Sequence, residues 1–86
     1  MQTELFDKKV TVSHLQEFSK NTMVEHLGIE FLELGGNFIS AKMPVDHRTH
    51  QPMGLLHGGA SLVLAETLGS VASSILVDMK KFHWVI

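Results

Sequence analysis

The spacing of apolar and polar residues changes several times along the chain, and each change predicts a new element of secondary structure. Near the beginning, two capping-box patterns predict short helices over residues 13–20 and 22–27, the second ending before Gly28. In such a pattern, two side chains satisfy backbone N–H groups that the first helical turn leaves free. The two pairs are Ser13 with Gln16 and Thr22 with Glu25.

After Gly28 the apolar residues recur at every second position, which is the spacing of a β-strand. The phase slips by one residue between Phe31 and Leu32, as a β-bulge or a strand buried on both faces would require. Gly35-Gly36 predicts a turn, and a cleaner alternation follows over residues 39–43. These two runs predict a β-hairpin.

A polar, irregular stretch over residues 45–56 is long enough to have a function. Behind it, Gly58-Gly59 opens a helix that nothing requires to end before about Met79. Its segment over residues 60–77 is apolar or small on every face, with Glu66 as the one charge, and that pattern predicts a buried helix. Residues 82–86 predict the beginning of a further strand, and the whole set predicts an α+β fold.

Composition restricts the class of protein. Eighty-six residues make at most one domain, so residues 1–86 are expected to form a single one. The net charge is −2 and the seven Lys and Arg residues are scattered, which argues against a nucleic-acid partner. The absence of cysteine excludes disulfides, thiolate metal sites and a cysteine nucleophile. The mixed-charge first ten residues have no apolar core, so we expect a cytoplasmic protein.

The start of the long helix and a carboxylate within it suggest acyl-transfer chemistry. Glycines in the first turn, Gly58 foremost, leave free N–H donors open to a ligand oxygen, with the helix dipole behind them. An oxyanion hole requires such donors. Glu66, two turns further on, can attack a thioester directly or activate a water for the attack. Ser70 lies one turn beyond on the same face and can orient that carboxylate or the water.

The spacing of Gly58 and Glu66 favours a site shared by two chains. Eight residues of α-helix span about 12 Å, and they place two side chains about 80° apart around the axis. A reacting carbonyl must lie about 3 Å from both its donors and the attacking atom. Two antiparallel copies, each presenting its Glu66 to the other's Gly58, meet this requirement more readily, so the geometry favours a symmetric dimer.

Structural interpretations of the same residues stay open. Glu66 can pair with Lys42 or Arg48 instead of reacting, and His57 can serve only to cap the loop by hydrogen bonding. Three loop residues have the chemistry of metal ligands, but neither a fourth ligand nor an ordered element supports a site, so we predict no metal. These three are Asp46, His47 and His50.

The run MPVDHRTHQPMGLLHGGASLVLAETLGSVAS closely resembles the signature of PaaI-like hotdog thioesterases, nearest to the type that hydrolyses 1,4-dihydroxy-2-naphthoyl-CoA. HLGIEFLELG is similar to the first strand of that family, and the likeness covers roughly residues 22–78. The resemblance implies a hotdog fold, in which an antiparallel sheet wraps around a long central helix. It also implies a homodimer or a dimer of dimers that acts on acyl-CoA without a cofactor.

The resemblance implies roles for five residues. Glu66 would be the nucleophile or general base, and the backbone N–H of Gly58 would polarise the thioester carbonyl. Gln51 and His57 would position the acyl group and the loop. Ser70 would assist near Glu66, on the opposite subunit from Gly58.

Family members continue through several more strands, so the resemblance implies the N-terminal part of a hotdog domain, truncated after the start of the third strand. We expect that the 86-residue chain does not close a hotdog monomer by itself. The leading hypothesis is a thioesterase for an aromatic or medium-sized acyl-CoA. The alternative is a non-catalytic hotdog module that binds acyl thioesters or dimerises. A membrane helix over residues 54–77 is disfavoured, because a carboxylate at mid-bilayer costs about 2.5–3.5 kcal/mol.

Overall fold

A computed structural model describes residues 9–76, in which two short helices, a hairpin and a long helix follow one another. The elements are α1 (Val12–Phe18), α2 (Met23–His26), β1 (Glu30–Leu34), β2 (Ile39–Lys42) and α3 (Gly58–Leu76). Helix α1 packs against β1, and α3 packs against β2. This is the predicted α+β order of elements. The strand predicted over residues 82–86 and the helix end predicted at about Met79 lie outside the described residues.

Helix α1 is capped by Thr11, so the prediction that Ser13 begins the helix is wrong. The Thr11 hydroxyl accepts the N–H of His14 at 3.2 Å, and the Nδ1 of His14 accepts the N–H of Thr11 at 3.3 Å. The imidazole thus takes the place that the capping-box pattern assigns to Glu or Gln. Thr11 and Ser13 both have a side chain suited to capping, and the structure uses Thr11, whose partner three residues later is His14.

The Gln16 side chain hydrogen-bonds to the backbone at β1 instead of capping α1. Its Nε2 donates to the carbonyl of Ile29 at 3.2 Å, and its Oε1 accepts the N–H of Phe31 at 3.0 Å. Because every strand residue carries one donor and one acceptor to satisfy, the side-chain amide acts here as a neighbouring strand would. These two bonds fix the position of α1 relative to the sheet.

Helix α2 begins where the sequence predicts. The Thr22 hydroxyl accepts the N–H of Val24 at 3.2 Å, which confirms Thr22 as the cap. The carboxylate of Glu25 also reaches back over the helix start, but it accepts from the N–H of Asn21, at 3.3 Å, one residue before the position that a capping box uses.

Gly28 ends α2 with a φ of 75°, a conformation that residues with a side chain rarely adopt. The N–H of Ile29 donates to the carbonyl of Val24 at 3.1 Å, and that of Gly28 donates to the carbonyl of Glu25 at 2.9 Å. This is the Schellman arrangement of a helix end. The conformation therefore favours glycine, and a Cβ would also displace the Arg48 side chain, whose Nη1 it would approach to 2.5 Å.

The hairpin contains the predicted bulge. Phe31 lies opposite Ala41 and Glu33 lies opposite Ser40, which leaves Leu32 as the extra residue on β1. The side chain of Leu32 is 48% exposed, so the other interpretation of the phase slip, a strand buried on both faces, is wrong at this residue.

Helix α3 begins at Gly58, as predicted, but the prediction that it is buried all round is wrong for a single chain. Ala60 and Ile75 are buried, whereas Leu62 is 71% exposed and Glu66 is also exposed. Within residues 9–76 only β1 and β2 are available as a sheet, and two strands cover one side of a helix. The apolar character of the opposite side therefore has no counterpart in the described part of the chain.

Candidate active site

The loop between β2 and α3 folds around Thr49, whose side chain is 1% exposed. Its hydroxyl donates to the carbonyl of Pro44 at 2.8 Å and accepts the N–H of Asp46 at 3.1 Å. Its own carbonyl accepts the N–H of His57 at 2.7 Å. One buried threonine therefore ties the end of the hairpin to the residue before α3 and fixes where that helix begins. The polar composition of the loop gave no sign of this anchor.

Gln51 lies in a tight turn within the same loop. Its N–H donates to the carbonyl of Leu55 at 2.7 Å, and its carbonyl accepts the N–H of Gly54 at 2.9 Å, where φ is 78°. Its Oε1 accepts the N–H of Met53. Within residues 9–76, the Nε2 group of Gln51 has no hydrogen-bond partner, so it is a donor that a ligand can use.

His57 caps α3 through its side chain. Nδ1 accepts the N–H of Gly59 at 2.8 Å, as a capping oxygen would. A neutral imidazole that accepts at Nδ1 carries its proton on Nε2. A Cβ on Gly59 would lie 2.9 Å from Nδ1 of His57, so the glycine makes room for the ring. The capping interpretation of His57 is confirmed, and its predicted role toward the acyl group stays a prediction.

Gly58 presents an open donor at the first turn of α3. Its N–H makes no hydrogen bond within the described residues, whereas the N–H of Ala60 already donates to the carbonyl of His57 at 3.0 Å. A Cβ on Gly58 would meet nothing within 4 Å. Because the helix dipole adds positive potential at this end, the donor suits an oxygen that becomes negative.

Glu66 and Ser70 form a hydrogen-bonded pair on α3, and we refer to them as the carboxylate pair. Ser70 Oγ donates to Glu66 Oε1 at 2.7 Å, which is the contact that their spacing predicts. The basic residues that could have held Glu66 structurally bind other carboxylates, Lys42 at 3.4 Å and Arg48 at 2.7 Å. Glu66 is exposed instead of buried, because its side of α3 is the uncovered one.

The carboxylate pair lines a groove of about 550 Å³ between α1 and α3. Most of the other side chains on its walls are apolar, and they come mainly from α1, α2, β1 and α3. They include Leu15, Phe18, Phe31, Val71 and Ile75. This groove joins parts of the chain that lie 50 residues apart, and no sequence pattern predicts it.

The five predicted site residues therefore fall into two groups in one chain. The carboxylate pair lies in the middle of α3, whereas Gln51, His57 and Gly58 lie at its start and in the loop before it. Because α3 is continuous from Gly58 to Leu76, Gly58 and Glu66 stand about 12 Å apart along its axis. One chain does not bring both groups to a single carbonyl carbon.

Of the three loop residues that have the chemistry of metal ligands, Asp46 forms an ion pair with a neighbouring arginine. Arg48 donates to both carboxylate oxygens of Asp46, at 2.7 Å through Nη2, and this bonding lowers the pKa of Asp46 to about 2. Residues 9–76 contain no group of three His, Asp or Glu side chains that could hold a metal ion. In the same part of the chain, the structure has no helix with the length and apolarity needed to cross a membrane.

Comparison with known proteins shows what the chain is related to. No family model matches it. Proofreading thioesterase EntH from Cronobacter turicensis is 57% identical over 68 residues, which cover 79% of this chain and 50% of that protein. A crystal structure of a thioesterase from Haemophilus influenzae matches with 51% identity and a TM-score of 0.81, covering 85% of this chain and 51% of that one.

A crystal structure of a mutant thioesterase from Pseudomonas aeruginosa matches with 47% identity and a TM-score of 0.84, covering 88% of this chain and 55% of that one. These similarities confirm the hotdog fold for the part that the chain spans. Over the part that it spans, the chain is homologous to these thioesterases. It spans about half the length of the curated relatives it matches.

Proposed function

We propose that this chain contributes to an acyl-CoA thioesterase in which Glu66 acts on the thioester carbonyl. The observation that carries the proposal is the 2.7 Å bond from Ser70 to Glu66 on the wall of an apolar groove. That bond occupies Oε1 of Glu66. Oε2 has no hydrogen-bond partner within residues 9–76, and in this proposal it is the oxygen that acts on the substrate or a water. The thioesterase homologues support hydrolysis of a thioester as the reaction.

The reaction needs an attacking oxygen and a donor for the carbonyl oxygen. Glu66 either attacks the carbonyl carbon itself or takes a proton from the water that does so. Negative charge then develops on the carbonyl oxygen, where the free N–H of Gly58 stabilises it. The carbon–sulfur bond breaks and CoA leaves as a thiolate. A water supplies the oxygen of the released acid, directly or by hydrolysis of the acyl–Glu66 anhydride.

Two chains complete each site in this proposal. Glu66 and Ser70 come from one chain and Gly58 from its partner, since about 12 Å of helix separates them within one chain. The exposed side of α3 supports this arrangement, because Leu62 on it is 71% exposed and needs a cover. A homodimer, or a dimer of such dimers, places two of these sites around a twofold axis.

Substitution of Glu66 tests the proposal. Glu66→Gln keeps the shape and the bond from Ser70 but removes the charge, and we expect hydrolysis of benzoyl-CoA to fall by about 10²–10⁴-fold. Glu66→Ala should do the same with an unchanged circular dichroism spectrum. Glu33→Gln, at an exposed carboxylate on β1 outside the groove, is the matched control.

Unchanged turnover in both Glu66 variants would remove this residue from the reaction. Binding of benzoyl-CoA to the unsubstituted chain without any hydrolysis would instead select the non-catalytic module.

A further inference from the structure

The groove between α1 and α3 is continuous with the carboxylate pair, so whatever occupies it lies against Glu66. Its volume of about 550 Å³ falls within the roughly 300–1,000 Å³ range of small-molecule sites. Phe31 of β1 also lines the groove, so the sheet contributes to its walls.

Three hydroxyl groups on the walls of this groove donate to backbone carbonyls. Ser19 Oγ donates to the carbonyl of Leu15 at 2.8 Å, and Thr22 Oγ1 donates to the carbonyl of Ser19 at 2.6 Å. Ser74 Oγ likewise donates to the carbonyl of Ser70, at 2.9 Å. Because these donors turn back to their own backbone, the walls offer an occupant mainly apolar surface. A molecule that fits has an apolar body and brings its reactive group to Glu66.

Phe18 is unusual on these walls, because its side chain is 81% exposed although the groove lies beside it. It is the last residue of α1, and the bonds from Gln16 to β1 hold that helix in place. A large apolar side chain kept at the rim of a preformed groove is typical of a surface that a ligand covers.

We infer that this groove is the acyl pocket of the proposed thioesterase, and that Leu15 and Phe18 of α1 form the wall that selects the acyl group by size. The inference rests on the proposed function. The pocket takes apolar acyl groups larger than acetyl, with the thioester carbonyl beside the carboxylate pair. Helix α1 thus determines specificity, while α3 carries the attacking group.

Two substitutions change this wall in opposite directions. Leu15→Trp fills the groove, and Phe18→Ala removes contact surface from it. We expect kcat/KM for octanoyl-CoA to fall by about tenfold or more in each, while that for acetyl-CoA changes less than about twofold. Ser13→Trp and Met23→Ala are the matched controls, since neither side chain lines the groove although both are exposed.

Binding of S-octyl-CoA, a thioether that cannot be hydrolysed, separates this inference from the proposed function. Leu15→Trp should weaken binding of this probe by about tenfold, whether or not the chain turns over any thioester. If Glu66→Gln abolishes hydrolysis but Leu15→Trp leaves octanoyl preference and probe affinity unchanged, the proposed function stands and the pocket assignment fails.

Three further outcomes would overturn the assignment. They are equal losses for acetyl-CoA and octanoyl-CoA in the groove variants, no binding of S-octyl-CoA to the unsubstituted chain, and a change in self-association by Phe18→Ala with acyl preference intact. The last result would mean that a second chain covers the groove.

Discussion

The effect of Gly59→Ala on the free energy of unfolding should depend on the side chain of His57, at the start of α3. His57 Nδ1 accepts the N–H of Gly59 at 2.8 Å, and a Cβ on Gly59 would lie 2.9 Å from that nitrogen and 3.0 Å from Cε1. His57→Ala removes the cap, which costs about 0.5–2 kcal/mol of unfolding free energy for caps of this kind. Gly59→Ala adds a methyl group that forces the ring away, so the same cap is lost.

The effects of His57→Ala and Gly59→Ala on the free energy of unfolding therefore should not be additive. A glycine-to-alanine change inside a helix stabilises by about 0.5–1 kcal/mol. In Gly59→Ala this gain is offset by the lost cap of about 1 kcal/mol, and the net effect should lie near zero. In the His57→Ala background no ring is displaced, so Gly59→Ala should stabilise by the full amount of about 0.5–1 kcal/mol.

Urea unfolding of the four chains, followed by circular dichroism at 222 nm, measures this coupling. Gly58→Ala is the matched control, because a Cβ at Gly58 meets nothing within 4 Å. It should stabilise the helix equally with and without the His57 ring. Independent sites add to within about 0.3–0.5 kcal/mol. If Gly59→Ala has the same effect in both backgrounds within that margin, the capping contact does not hold this glycine in place.

Two further predictions concern contacts outside the site. Arg48→Met should raise the pKa of Asp46 from about 2 toward the ordinary value near 3.9, measured by carboxyl-carbon NMR. Because the pKa is lowered in the folded chain, this contact stabilises above about pH 3.9 and its contribution disappears as pH falls through about 2; an unshifted Asp46 would contradict the pairing. Gln16→Ala should cost about 1–3 kcal/mol for two lost bonds and speed amide exchange at Phe31, whereas Gln16→Glu, which keeps the acceptor, should slow that exchange again. Equal exchange in Gln16→Ala and the unsubstituted chain would show that β1 does not depend on this side chain.

Features fixed by neighbouring residues were predictable from the sequence. The phase slip at Leu32 indicated the bulge, and Thr22 and Gly58 marked the starts of α2 and α3. Each depends on backbone hydrogen bonds within a few positions. The cap of α1 was misplaced because His14 substitutes for the expected Glu or Gln, and the pattern does not include imidazole.

Features that depend on distant parts of the chain were not predictable in the same way. The groove lies between α1 and α3, elements far apart in the sequence, and nothing near Phe18 indicates that α3 lies opposite. The burial of Glu66 was wrongly predicted since it depends on what covers the outer side of α3, not on the composition of the helix. The pairing with Ser70 was correct because a spacing of four residues fixes it.

The central claim, a site made of Glu66 from one chain and Gly58 from another, can be tested by mixing two inactive variants. Gly58→Pro removes the donor N–H while keeping the helix, because proline is favourable at the first helical position. Loss of such a donor lowers kcat by about 10²–10³-fold. Gly58→Ala, which retains the N–H, should keep activity within a few-fold.

The decisive measurement is the thioesterase activity of a 1:1 mixture of Glu66→Gln and Gly58→Pro chains after unfolding and refolding together. If two chains share each site, half of the dimers are mixed and each holds one intact site, so activity should return to about a quarter of that of the unsubstituted protein. If both residues act within one chain, no intact site can form. A mixture no more active than the two separate variants would contradict the shared site.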